Sequence, residues 1–227
     1  LIAGTLFTPL GTVAVIGAVY AVVFNAKFED FIPQIFTSLI PWYFFAACAD
    51  TGTSAFINAE GFITQTKTSI EIFPVRVAFG AFLHYLISMI AFFLVFIFIN
   101  YSAFNLNMIM IFPAYTIALI FGIGMANITS IVTLYIRDFG PLLSLFLQAM
   151  FYVTPIIYPI EIMRERGYSF VYQINPFYYM VNLVKQPSLG RPVDTMDFAI
   201  ALSIALLTFC IGVIIINRIN RKIVFKF

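Results

Sequence analysis

Residues 74–100 read PVRVAFGAFLHYLISMIAFFLVFIFIN, an unbroken apolar run holding the single charge Arg76. A helix needs about 20 mostly apolar residues to cross a bilayer, and this run exceeds that length. A membrane barrel would instead show alternating segments of about ten residues. The rest of the chain agrees with the helical reading. It is 62% hydrophobic and only 10% charged, where a soluble domain carries about 25% charge. The sequence therefore predicts an all-α polytopic membrane protein, with residues 1–227 forming a single transmembrane domain.

Working outward from that run, six spans are expected, at about 5–24, 32–56, 74–100, 108–135, 141–159 and 197–217. Spans two and three are joined by the polar stretch NAEGFITQTKTSIEIFP, residues 58–74. Spans five and six are separated by a longer section, residues 160–196, in which charges and aromatics mix. Within it, Ile174–Val184 is too short and too polar to span, and reads as one or two short interfacial or re-entrant helices. Breaks are expected at Asn175-Pro176 and at Pro187. The chain begins at Leu1 and shows no signal-peptide pattern, so a further segment is expected before it.

Loop cations give the orientation. With both termini in the cytoplasm, the inner side holds Lys67, Arg76, Arg137, Arg218, Arg221, Lys222 and Lys226. The outer side holds Lys27, Arg164, Arg166, Lys185 and Arg191, so the bias is seven against five. Arg137 and Asp138, in YIRDFG at 135–140, then fall in a cytoplasmic turn between spans four and five. Gly140-Pro141 suits the start of the next helix, because proline in a first helical turn removes an N–H that has no partner there anyway.

Catalytic material is sparse. His84 is the one histidine, which argues against a His-based metal site; it reads as a packing or hydrogen-bonding residue. Asp50 is the one acid inside an expected span. Such a residue pairs with a polar neighbour, lines a pathway, or sits hydrated near a helix end. Cys48 and Cys210 lie in apolar runs and read as packing residues. No catalytic or metal residue is assigned. No phosphate-binding GxxxxGK[ST] loop is present, so ATP-driven work would need another subunit. Gly122, Ala126 and Ser130 form a ladder of small residues suited to close helix packing. The modest net charge of +2, without a basic block, gives no reason to expect nucleic acid. Aromatics are abundant, and their flat faces suit either membrane-interface belts or the lining of a path for a glycan.

Three ordered blocks carry a family resemblance: PWYFF at 41–45 with the later EIFP at 71–74, YIRDFG with FYVTPIIYP at 151–159, and INPFYYMVNLVK at 174–185. GTLFTPL at 4–10 adds to it. Together they resemble the permease subunit of bacterial polysaccharide ABC exporters, the type 2 group that moves lipid-linked O-antigen, teichoic acid or capsule chains. The resemblance implies a homodimer in the bacterial inner membrane, with two ATP-binding cassette subunits docked on the cytoplasmic side. It implies that ATP and Mg belong to those partners and that this chain, in contact with membrane lipids, needs no cofactor.

The resemblance also assigns roles. A coupling segment at 58–73 would use Glu60, Gly61, Phe62, Ile63, Thr64 and Lys67. The glycan path would be lined by Trp42, Tyr43, Phe45, Phe146, Phe151, Tyr152 and Tyr158. An external gate over 160–196 would use Pro159, Asn175, Pro176, Phe177, Tyr178 and Tyr179. The family's amphipathic helix before span one is not visible in a chain starting at Leu1. Rival expectations are a type 2 permease for a drug, lipid or haem-related cargo, a membrane polysaccharide polymerase or acyltransferase, and a passive channel.

Overall fold

The computed structural model describes Gly11, residues 28–65 and residues 69–219. Span one, Lys27, Lys67 and the cations after Arg218 lie outside these described residues. The described chain is helical, with no strand among the described residues. Helix α1 is Phe28–Thr53. After a 3-10 turn at Ile57–Ala59 comes the short α2, Glu60–Gln65. Helix α3 is Ile72–Ile99, α4 is Ile111–Tyr135 and α5 is Phe139–Val153. Helices α6 (Ile160–Glu165), α7 (Ser169–Gln173) and α8 (Pro176–Ser188) are short, and α9 is Thr195–Ile219. Phe31–Thr53, Ile72–Ile99, Leu106–Tyr135 and Thr195–Arg218 are each long and apolar enough to cross a membrane.

Two boundaries differ from expectation, each for a backbone reason. Span five was expected to reach residue 159, yet α5 stops at Val153. Pro155 has no N–H, and a residue before proline disfavours helical geometry. Residues 154–157 continue as buried irregular chain. The break expected at Pro187 does not occur: α8 runs through it to Ser188. Pro187 sits in the last turn, so only one helical bond is forfeited just before the helix ends.

The chain divides into two compact units. One comprises Leu1–Tyr43, His84–Tyr115 and Met150–Ala201; the other comprises Phe44–Leu83, Thr116–Ala149 and Leu202–Phe227. In the second unit, the small-residue ladder works as packing. Gly122 faces Phe44 and Cys48 of α1, where an added Cβ would meet their atoms at 2.8 and 2.9 Å. On another face of α4, Gly124 lies against the α9 backbone, and a Cβ there would sit 2.6 Å from Phe209 N. Small residues allow this approach where lipid offers no hydrophobic drive between helices.

In the first unit, Phe92 stacks on Phe96 with centroids 5.0 Å apart, and Tyr85 meets Tyr115 edge-on at 5.0 Å. The turn after α8 is locked to the segment between α3 and α4. The carbonyl of Gly190 accepts from Asn105 Nδ2 at 2.8 Å and from Asn107 Nδ2 at 3.0 Å. Gly190 has φ +71°, and a Cβ on it would overlap the carbonyl of Ala103. Gly167 shares the left-handed backbone, φ +76°, but faces open space.

The two glycines therefore make a controlled pair. Gly167→Ala adds only left-handed strain, about 1–2 kcal/mol. Gly190→Ala adds the same strain plus a backbone collision, and should lower the melting temperature of the purified protein well beyond Gly167→Ala in parallel thermal-shift measurements.

Candidate functional site

The polar stretch after α1 folds into an anchored projection. Its inner face is apolar: Phe56, Ala59, Ile63 and Ile70 form a buried cluster with Ile131 of α4 and Ile216 of α9. Its outer face is exposed, with Phe62 at 63% and Ile57 at 53% exposure beside exposed Glu60 and Gly61. Ile63, expected to meet a partner, is buried in the cluster and so anchors α2 instead. Thr64 lies in α2, but its side chain is outside the described residues, as is Lys67.

Arg137 and Asp138 occupy the exposed turn between α4 and α5. Gly140 and Pro141 fall in the first turn of α5. One turn further, Ser144 Oγ donates to Asp50 Oδ1 at 2.6 Å and lies 3.2 Å from the carbonyl of Gly140. Asp50 is exposed one turn before the end of α1. It thus combines two of its three expected roles, a polar partner on a neighbouring helix and hydration near a helix end. Ser144 was not singled out in the sequence; the lone acid in a span was the only pointer to it. His84 is exposed on α3 and, as backbone, accepts from Ser88 Oγ at 2.9 Å.

The aromatic set separates into buried and exposed members. Trp42 is buried, with its ring 5.2 Å from Phe177 and 5.8 Å from Phe151. Phe45 is fully buried, edge-on to Phe121 at 5.2 Å. Tyr43, Phe146 and Tyr152 are exposed. Phe151 and Tyr158 are half-buried. The Tyr158 hydroxyl donates to the carbonyl of Tyr152 at 3.0 Å and approaches that of Val153 at 3.3 Å, capping the end of α5.

Asn175 joins the end of α5 to the start of α8. Its Oδ1 accepts from Phe177 N at 3.0 Å, which caps α8, and Pro176 takes the first helical position. Its Nδ2 donates to Thr154 Oγ1 at 2.8 Å, and Thr154 in turn donates to the carbonyl of Met150 at 2.7 Å. Phe177 is buried beyond this cap, Tyr178 and Tyr179 are half-buried, and Tyr179 donates its hydroxyl to Gln173 O at 2.9 Å. Pro159 is half-buried at the N-cap of α6.

Comparison with known proteins gives this arrangement a family. Residues 1–187 match the ABC-2 type transporter pattern, described for the membrane domain of such transporters. The chain belongs to the ABC-2 type transporter family. Two O-antigen export system permease proteins, RfbA, of Klebsiella pneumoniae are 24% and 23% identical over 205 residues, each alignment covering 90% of this chain and 78% of the relative. An O-antigen export system permease protein RfbA of Myxococcus xanthus is 24% identical over 172 residues, covering 73% of this chain and 64% of the relative. As an ABC-2 membrane domain, the chain is a multi-pass transport subunit.

The Asn175–Thr154 bond is measurable in this ABC-2 protein. Asn175→Ala removes a helix cap, about 1 kcal/mol, together with a buried bond. Thr154→Val removes that bond and the one from Thr154 to the Met150 carbonyl, and leaves the cap in place. Unfolding of the purified single and double variants should show coupling of about 0.5–3 kcal/mol, and additive losses would contradict the linkage.

Proposed function

We propose that this chain is the permease of an ATP-driven exporter that carries a lipid-linked polysaccharide of O-antigen type across the bacterial inner membrane. The single observation that carries the cargo is the likeness to O-antigen export permeases over 90% of the chain. In this reading two copies pair, six spans each, with both termini in the cytoplasm and the section after α5 outside. Two ATP-binding cassette subunits hold the ATP and Mg2+ and meet the exposed face of the 57–62 segment.

The anchored projection supports a coupling role on mechanical grounds. A docking element transmits force only if its far side is fixed. Ile63 and Ala59 fix this one to helices α4 and α9, while Ile57 and Phe62 stay outside. ATP binding closes the cassette dimer, which displaces the projections. The permease dimer then shifts between two states of different affinity for its partners. A polymer is too long for a single enclosed cargo cavity, so passage is stepwise. Glycan contact falls to exposed rings, Tyr43 and Tyr152 in the first unit and Phe146 in the second, whereas Trp42 and Phe45 are buried.

Phe62→Asp and Ile57→Asp test the reading, because both side chains are exposed and leave the buried cluster intact. An aromatic anchor at an interface centre contributes about 2 kcal/mol or more. Cassette-subunit recovery with the purified permease should therefore fall about thirtyfold, and glycan export with it. Phe98→Ala, on an exposed stretch of α3, should leave both unchanged. Full recovery and export with Phe62→Asp and Ile57→Asp would remove the coupling assignment.

A further inference from the structure

A cavity of about 330 Å3 opens among α6, α8 and the start of α9, all within the first unit. Pockets that hold small organic ligands measure about 300–1,000 Å3. Its wall is dominated by polar side chains, among them Glu161, Arg164, Asn182, Lys185, Gln186 and Asp197. Three of them are held in order. Gln186 Nε2 donates to Asn182 Oδ1 at 2.8 Å, and Asn182 Nδ2 donates to Asp197 Oδ2 at 2.8 Å. The relay fixes the amide of Asn182 and leaves the second Asp197 oxygen and the Gln186 amide oxygen as acceptors. Tyr178 adds a ring to the wall, packed on Tyr172 at 5.0 Å and Tyr179 at 5.1 Å.

Lys185 is the decisive member. Its side chain faces the cavity, attracted by the carboxylate of Glu161 and repelled by Arg191. Burial pushes its ammonium down to about 8, nearby Arg191 pushes the same way, and Glu161 opposes them. Lys185 is half-buried, and its side chain lines the cavity beside acceptors that a ligand could share with it. The wall carries two cations, Arg164 and Lys185, against three acids, Glu161, Asp194 and Asp197, so it offers no positive excess to an anion. Donors and acceptors side by side with an aromatic ring match a neutral ligand whose several hydroxyls both donate and accept.

We propose that this cavity binds a single pyranose ring, whose hydroxyls accept from Lys185 and Asn182 and donate to Asp197 and Gln186. The assignment of that ring to the exported glycan rests on the export reading; the sugar site itself does not. A hold on the order of millimolar suits a chain that must keep moving. The other charged or titratable groups around Lys185 are Glu161 and Arg164 on α6, Tyr178 on α8, Arg191 and Asp194 in the following turn, and Asp197 on α9. The charged ammonium is a stronger donor than the neutral amine and has one more N–H, so binding weakens as pH rises through about 8.

The test is saturation-transfer NMR on the purified protein in lipid nanodiscs, titrated separately with D-mannose, D-galactose, L-rhamnose and N-acetylglucosamine. At least one sugar should give a saturable, millimolar signal that falls between pH 7 and 9. Lys185→Met should weaken it about tenfold or more, as loss of a buried polar partner does, and should abolish the pH dependence. Asn182→Ala provides a second variant with the same expected direction if Lys185→Met does not fold. No saturable signal from any of the four sugars, or signals unchanged in the folded variants, overturns the proposal. Export of glycan by cells separates the two readings. Intact export without sugar binding removes the pocket alone, whereas sugar binding without export removes the export reading alone.

Discussion

Buried backbone N–H and C=O groups must find partners within the protein, and α5 meets that demand in an unusual way at its C-terminal end. Its 15 residues reach about 22 Å, short of a hydrocarbon core of about 30 Å. The chain beyond Val153 is irregular and buried, so side chains must complete what the helix leaves open. Tyr158 folds back on the last carbonyls, Thr154 bonds Met150, and Asn175 arrives from the next section to bond Thr154. Asn175 also caps α8. The start of α8 therefore depends on the end of α5, and α8 in turn supplies Lys185 and Asn182 to the polar cavity and leads into the Gly190 turn.

The second unit follows a different logic. Small residues let α4 approach α1 and α9 closely, and that packed set gives the 57–65 projection something rigid to stand on. Anchoring and exposure then coexist within a few residues. Ile63 is buried while Phe62, its neighbour, is exposed, because adjacent positions on a helix point about 100° apart. A segment fixed on one side and exposed on the other suits the proposed transmission of work from a partner subunit.

Much of this was legible in the sequence. Continuous apolar runs located α1, α3, α4 and α9 to within a few residues, because twenty-odd apolar residues admit few readings. Arg137-Asp138 marked a turn, and Asn175-Pro176 marked a break between short helices, which the structure shows as the start of α8. The early end of α5 had its signal in Thr154-Pro155, which was overridden by the apolar Ile156-Ile157 that follows. The division of the aromatics was not legible. Helices that are apolar nearly all round carry little periodic contrast, so nothing in PWYFF distinguished buried Trp42 and Phe45 from exposed Tyr43. The polar cavity around Lys185 depends on residues from α6 to α9 meeting in space, which no local pattern reports. Span one lies outside the described residues, so its expected place stands on sequence alone.

The central claim is directional, ATP-dependent passage of glycan through this subunit, and reconstitution measures it directly. The purified permease and its cassette partner are placed in inverted vesicles with a fluorescent lipid-linked glycan on the outside. The glycan protected from added glycosidase is then followed over time. The account predicts protection that grows with ATP and is absent with a non-hydrolysable analogue or without the permease. Protection that is equal with and without ATP, or independent of the permease, would contradict it.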